Sequence, residues 1–272
     1  MSITASVVKI AIHGAAGRMG KRLVALAAGE PALKIVAALE RPDHPSLGED
    51  AGHVAGIGQL GVLLASDLPA ETSVDALIDF SNPEGAQRAV AICRRRRIPL
   101  VMATTGLTSD TQHHLRQLAE EVAVVWAPNM SLAVNVAMKL AEQAAAALRE
   151  MPSGVDVEII ERHHRFKHDA PSGTALKFGE RIAAHMGQTR HQHGRHGMVG
   201  QRPLEEIGYH AVRVGDNPGE HTVVFGMLGE TLEITVKATN RDCYALGALQ
   251  AARFAAGRPP GLYSMYDVLG LS

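Results

Sequence analysis

Over the first half of the chain, short apolar runs alternate with segments of helical spacing. Residues 7–13, 33–39, 76–80, 99–103 and 122–127 are compact, β-rich runs bounded by polar or turn residues. Runs of 4–8 apolar residues with such boundaries predict buried strands. Between them, residues 18–29, 83–95 and 109–121 repeat their apolar positions at helical spacing, and Met19, Leu23, Leu26 and Ala27 share one face. The β-α-β-α rhythm predicts an α/β fold, a parallel sheet with helices on both faces. A long Ala-rich helix follows over residues 131–150, ended by Pro152 and Gly154.

The pattern then changes. Residues 155–161 alternate apolar and polar, 172–186 are helical, and the polar stretch 188–202 reads as a loop. Three more strands are predicted at 207–214, 221–228 and 231–238, separated by Asp216-Asn217-Pro218-Gly219 and Gly229-Glu230. The last two form an antiparallel hairpin. Strands with few helices predict a second, α+β unit, and residues 245–256 make a final helix that returns to the first unit.

Composition narrows the function. The 272 residues carry 27 Lys plus Arg against 28 Asp plus Glu, a net charge of -1. A nucleic-acid binder usually shows a basic excess, so the balance argues against that class. At 4% aromatic content, the composition argues against base stacking too. A content of 46% hydrophobic residues is that of a globular protein. The two cysteines, Cys93 and Cys243, lie outside any Cys-x-x-Cys pattern, which points away from a disulfide scaffold or thiolate zinc site and toward a reducing cytosol. Residues 1–8 lack the pattern of a secretory leader, and no run of about 20 apolar residues predicts a membrane span.

The strongest local pattern is Lys9-Ile10-Ala11-Ile12-His13-Gly14-Ala15-Ala16-Gly17-Arg18-Met19-Gly20. Gly14, Gly17 and Gly20 follow a strand and open a helix. Glycine permits the tight turn and close approach of a pyrophosphate, and the helix N-terminus supplies N–H donors. A second strand ends at Glu40, whose carboxylate is placed to accept from ribose hydroxyls; Arg41 is placed to meet a 2′-phosphate. NADH, NADPH or both are therefore the expected cofactors. Ala103-Thr104-Thr105-Gly106 and Ala127-Pro128-Asn129-Met130 also follow strand ends, where open parallel sheets bind ligands.

A second constellation runs from Glu161 through Arg162-His163-His164-Arg165-Phe166-Lys167-His168 to Asp169-Ala170-Pro171-Ser172-Gly173-Thr174. It follows a strand as an irregular loop and enters a helix. Six of the seven residues from Arg162 to His168 are basic or can become so, a cluster that repels itself until an anion arrives. Cations beside a helix N-terminus suit a small dianion. A histidine trades protons near neutral pH, and a lysine among cations becomes a better acid. By contrast, Arg94–Arg97 reads as a solvated run favouring a helix dipole. His191, His193 and His196 read as a surface loop without metal, and Cys93 as a buried apolar residue.

These residues resemble those of the 4-hydroxy-tetrahydrodipicolinate reductase (dihydrodipicolinate reductase) family, end to end. The likeness rests on Gly14–Gly20, Asp79-Phe-Ser-Asn-Pro-Glu-Gly85, Ala103–Gly106, the stretch 127–136, Arg213–Thr222 and above all residues 161–175, close to E-x-H-H-x-x-K-x-D-A-P-S-G-T-A. The resemblance implies a Rossmann-type dinucleotide-binding unit of residues 1–130 with 241–272. It also implies an α+β unit of residues 131–240 that binds substrate and builds a homotetramer in the cytoplasm. Carried over by motif, His163 donates or accepts a proton and Lys167 donates one. His164, Gly173 and Thr174 hold the carboxylate of a small dicarboxylate substrate. Gly14, Ala15, Ala16, Gly17, Arg18, Met19, Glu40, Arg41, Ala103, Thr104, Thr105, Ala127, Pro128, Asn129 and Met130 contact the cofactor, with no metal, nucleic acid or membrane involved. The chain departs from the family at Ala103, where Gly is usual, at Met130, where an aromatic is usual, and at Pro128, where a small residue is common. Two other readings of the same residues are a non-catalytic dinucleotide-binding redox sensor and a metal-dependent hydrolase built on the His-rich loop.

Overall fold

The computed structural model describes residues 7–271; the part of the leader reading that falls on residues 1–6 lies outside them. In chain order the first elements are β1 (Val8–His13), α1 (Arg18–Ala28), β2 (Leu33–Leu39), α2 (Ala51–Ala55), β3 (Leu64–Ala65), β4 (Ala76–Asp79), α3 (Pro83–Arg96), β5 (Leu100–Met102), α4 (Ser109–Ala119) and β6 (Ala123–Trp126). Then come α5 (Leu132–Leu148), β7 (Asp156–His163), α6 (Gly173–Met186), β8 (Arg190–His193), β9 (Glu206–Arg213), β10 (Gly219–Met227) and β11 (Glu230–Ala238). The chain closes with α7 (Asp242–Ala255), β12 (Gly261–Tyr263) and α8 (Met265–Leu269). It divides into two compact units. One comprises the described residues up to Leu132 together with those from Asp242 onward; the other is Ala133–Arg241.

The first unit is a seven-stranded sheet in the order β12-β6-β5-β4-β1-β2-β3, with parallel pairing throughout. Its strands are apolar on both faces because both are covered. Ile10, Ile12, Ile78, Val101 and Val125 pack against α1, α7 and α8 residues such as Leu23, Ala248 and Met265. Ala11, Leu77, Leu100, Met102 and Val124 face Ala89, Cys93, Leu115 and Leu118 of α3 and α4. Helix starts follow capping chemistry. The Asn82 side chain accepts from Gly85 N–H with Pro83 opening α3, and the Thr108 hydroxyl accepts from Thr111 N–H at the start of α4. The chain reverses its direction of growth between β1 and β4, so the carboxyl ends of these strands flank a topological switch point.

The second unit is a five-stranded mixed sheet, β11-β10-β7-β9-β8. The expected hairpin is present, with β10 antiparallel to β11 from Gly219↔Ala238 to Met227↔Glu230. One face carries Val157, Ile159, Ile207, Tyr209, Val223 and Phe225, packed under Val134, Met138, Ala141, Phe178 and Ile182 of α5 and α6.

Four expectations are corrected, and two short elements were not expected. The stretch 188–202 is not all loop: Arg190–His193 forms β8, an edge strand parallel to β9. Its sequence is polar because an edge strand needs only backbone pairing, and Tyr209 of β9 stacks on His191 and His193. The helix near the C-terminus is not the last element, since β12 adds to the parallel sheet beside β6 and α8 follows. The short α2 and β3 had no periodic signal. The strand read as ending at Glu161 continues to His163, so His163 sits on a strand rather than in a loop. Finally, the Arg94–Arg97 run is not simply solvated. Arg95 pairs with Asp67 at 2.8 Å, Arg94 and Arg97 approach Glu121, and Arg96 donates to the carbonyls of Pro69, Ala70 and Thr72.

Candidate active site

Strand alternation builds the centre of the second unit. Along β7, Val157, Ile159, Glu161 and His163 share the covered face, so the apolar stripe ends in a carboxylate and an imidazole. Glu161 is fully buried and its carboxylate is satisfied on both oxygens. Oε2 accepts from His163 Nδ1 at 2.5 Å and Arg213 at 2.8 Å; Oε1 accepts from Arg213 at 2.7 Å and Ser172 N–H at 3.0 Å. Burial by itself raises this carboxyl; the hydrogen bonds from His163 and Arg213 outweigh it and hold it at about 2. A carboxylate on Nδ1 makes Nδ1 the protonated nitrogen and leaves Nε2 for chemistry.

Register brings in the rest. His221 of β10 lies opposite Glu161, and Arg213 of β9 opposite His163. The His221 ring meets that of His163 edge-on at 5.2 Å, and its Nε2 is 3.0 Å from Ser172 Oγ. Burial, then the charge at His163, pushes His221 down to about 4, so it is neutral at neutral pH. Ser172 caps α6, its hydroxyl accepting from Ala175 N–H, and Gly173 and Thr174 form the first helical turn. Gly219 leaves room for the imidazole: with φ at +153°, a methyl group there would sit 2.8 Å from His163 Nε2.

The expected self-repulsion of the basic loop is corrected by its acids. Lys167 Nζ donates to Asp169 at 2.8 Å, Arg162 lies 3.4 Å from Glu220, and Glu161 takes His163. His164 is half-buried and its N–H donates to the Asn217 carbonyl. Burial and the charges of Arg241, His163 and Lys167 push its imidazole below the ordinary value. Two buried polar atoms here have no hydrogen-bond partner, His164 Nδ1 and Arg213 Nε. Glu161 and Ser172 lay within the sequence constellation and Arg213 and His221 within the stretch 213–222, but none was given a site role; the signal for Glu161 was its place two residues before His163 on an alternating strand.

In the first unit, the residues expected to contact cofactor come to the carboxyl edge of the parallel sheet. Gly14 adopts φ +77° and its carbonyl accepts from Gly17 N–H at 3.0 Å, which caps α1. A methyl group at Gly20 would overlap the Gly14 carbonyl, so the helix approaches the turn closely. Ala15 is buried, while Arg18 is exposed and Met19 half-buried. Glu40 follows β2 beside this turn. Its carboxylate accepts from the N–H groups of Ala16 and Arg41, both at 3.1 Å, while the Arg41 guanidinium lies 3.4 Å from Asp43. Ala103 and Thr104 follow β5 as buried residues and Thr105 is exposed. After β6, Ala127 is buried, Pro128 exposed, Asn129 accepts from Ser131 N–H at 2.9 Å, and Met130 is packed in the core at 1% exposure. A glycine turn into a helix N-terminus, with a carboxylate at the next strand end, fits a dinucleotide.

Among the described residues, no helix is long and apolar enough to cross a membrane, and no group of three or more His, Cys, Asp or Glu is arranged to hold a metal. His191 Nδ1 is hydrogen-bonded to Tyr209 Oη at 2.7 Å.

The fold and the family it matches define an NAD(P)H-dependent oxidoreductase, a Rossmann-type unit joined to a mixed-sheet unit that carries the Glu161–His163–Arg213 cluster. Residues 8–130 match the model of "Dihydrodipicolinate reductase, N-terminus" and residues 133–269 that of "Dihydrodipicolinate reductase, C-terminus". The chain belongs to the dihydrodipicolinate reductase family. It is 54% identical over 271 residues to 4-hydroxy-tetrahydrodipicolinate reductase of Rhodopirellula baltica, covering 97% of each chain. With that of Nitrosomonas eutropha it is 46% identical, covering 98% of this chain and 99% of the other. A dipicolinate-bound dihydrodipicolinate reductase from Paenisporosarcina sp. TG-14 shares the fold, with a TM-score of 0.76 over 96% of this chain and 98% of that one at 24% identity.

Proposed function

We propose that the protein reduces 4-hydroxy-tetrahydrodipicolinate, through the dehydrated ring, to tetrahydrodipicolinate in the diaminopimelate route to lysine. The observation that carries this is the buried His163–Glu161–Arg213 cluster beside the α6 N-terminus, in a chain whose relatives bear this reductase's name. When bound, reduced nicotinamide supplies a hydride to the ring. Glu161 fixes His163 with Nε2 available, and His163 or Lys167 delivers the proton that the developing enamine carbon takes up. His164, Gly173 and Thr174 hold the substrate carboxylate, with the helix N-terminus favouring negative charge. Gly14 to Met19, Glu40, Ala103, Thr105 and Ala127 to Met130 hold the dinucleotide, and Arg41 admits the 2′-phosphate of NADPH. A sensor would need no proton donor, so the acid–base cluster favours turnover.

The test is loss of NADH and of NADPH absorbance in parallel, with substrate generated in place from pyruvate and aspartate semialdehyde by the preceding synthase. Synthase-dependent oxidation is expected with both dinucleotides, and their rate ratio reports how Glu40 and Arg41 divide them. No oxidation from a folded protein that binds dinucleotide would overturn the proposal and favour the sensor. The finer expectation of a homotetramer assembled through the second sheet has one support here. Ile160 and Val212 stand exposed on the sheet face opposite the α5–α6 core. Light scattering coupled to gel filtration tests the assembly; a monomer at micromolar concentration would refute it.

A further inference from the structure

The first unit contains a buried polar network that the chemistry above leaves unused. Asp79 ends β4, one of the two central strands flanking the switch point, and is fully buried. Its carboxylate accepts three hydrogen bonds: His13 Nδ1 at 2.6 Å and Ser81 Oγ at 2.7 Å on Oδ1, and Thr104 Oγ1 at 2.6 Å on Oδ2. His13 ends β1 directly opposite Asp79 in the ladder. Thr104 follows β5. Its hydroxyl, while donating to Asp79, accepts from Ser81 N–H at 2.9 Å. The Asp79 carbonyl accepts from Ala103 N–H at 3.0 Å, and the His13 carbonyl accepts from Phe80 N–H at 3.2 Å. The Phe80 carbonyl in turn packs so closely on Gly14 that a methyl group there would lie 2.9 Å from its oxygen.

One carboxylate thus joins the loops after β1, β4 and β5. A buried charge is costly and persists only where it is fully hydrogen-bonded; its neighbours Leu77 and Ile78 show that this layer is otherwise apolar. The Thr104 side chain is 5% exposed for the whole residue and committed on both its donor and acceptor sides. That differs from the direct cofactor contact the sequence suggested for it. We propose that Asp79 is a positioning residue for dinucleotide binding, holding the Gly14 turn and the Ala103–Gly106 loop in the bound geometry through His13, Ser81 and Thr104. This rests on the reading of these two loops as the dinucleotide site.

The test is calorimetric titration of the whole protein with NADPH and NADH, with native-state hydrogen exchange on the same variants. Asp79→Asn and Thr104→Val are each expected to weaken dinucleotide binding about tenfold, the scale of one hydrogen bond's contribution. Thr104→Ser keeps the hydroxyl and is expected to restore affinity. The double variant is expected to bind no more weakly than the weaker single one, because both act through one network. In both single variants the amides of residues 14–17 and 103–106 should exchange faster without ligand. Additive losses would mean that the Thr104 hydroxyl contacts the dinucleotide itself, and unchanged affinity would mean that the network positions nothing; either overturns the proposal. If Asp79→Asn does not fold, Ser81→Ala with Thr104→Val forms the same cycle. In the unsubstituted protein, NADPH should slow exchange in both loops. If it slows neither, the site reading fails and the proposal with it; if it slows both while the variants bind normally, only the positioning role fails.

Discussion

Glu161→Gln probes the centre of the second unit. The substitution keeps shape but removes the charge that His163 and both Arg213 nitrogens meet. Holding a buried carboxyl at about 2, against 4.5 for a free one, corresponds to about 3 kcal/mol of favourable interaction. An independent route gives the same scale, since removing one partner of a buried ion pair costs about 3–5 kcal/mol. Arg213 would be left facing a neutral amide, with Nε already unpartnered. We therefore expect a stability loss of about 3 kcal/mol, which for a chain of this size lowers Tm by about 6–12 °C. Turnover is expected to fall by up to about 10⁴-fold, the scale of loss when an amide replaces the carboxylate that fixes a catalytic histidine's tautomer. Dinucleotide affinity should be unchanged. The assay is differential scanning calorimetry alongside steady-state turnover and dinucleotide titration. Turnover within twofold of the unsubstituted protein would refute the orienting role. A Tm shift of about 1 °C or less would refute the energetic reasoning.

Other outcomes follow from the same geometry. Gly219→Ala should displace the His163 imidazole, because the added methyl would meet Nε2 at 2.8 Å; kcat should drop while the circular dichroism spectrum is kept, and unchanged kcat would show that the ring is not held there. His163→Ala and Lys167→Ala should each lower kcat by about 10²–10⁴-fold with dinucleotide Kd unchanged; full turnover in both would mean that the proton comes from elsewhere. Stability should fall in acid. Burial raises the carboxyls of Glu158 and Glu161, but hydrogen bonds from Arg195, Arg202 and His210 on the first, and His163 and Arg213 on the second, hold both at about 2. A depressed carboxyl contributes stability above its free value of 4.5 that is lost as pH falls toward 2, so the urea midpoint should decline between about pH 5 and 2 and a flat profile would count against these pairs.

Legibility followed the range of the determining interactions. The periodic runs gave the strands and helices of the parallel sheet to within a few residues, because burial on both faces forces near-continuous apolar sequence. The edge strand β8 and the short α2 and β3 escaped that logic. Backbone pairing holds an edge strand whatever its side chains, so Arg-His-Gln-His left no apolar trace. Strand β12 escaped for a related reason, its three residues gaining their place only by pairing with β6.

The sequence by itself determined the chemistry-bearing local groups. The Gly14–Gly20 turn needs glycine for its backbone, Ser172 needs its hydroxyl to cap α6, and His163 and Lys167 stand within five residues on one segment. Only the tertiary structure decided what those groups face. The Glu161–Arg213 and Ser172–His221 contacts join residues 52 and 49 positions apart, and His13 meets Asp79 across 66. Strand register makes these pairs. A register shift of one residue would turn Glu161 and His163 to the opposite sheet face, and no local pattern records which partner a neighbouring strand presents.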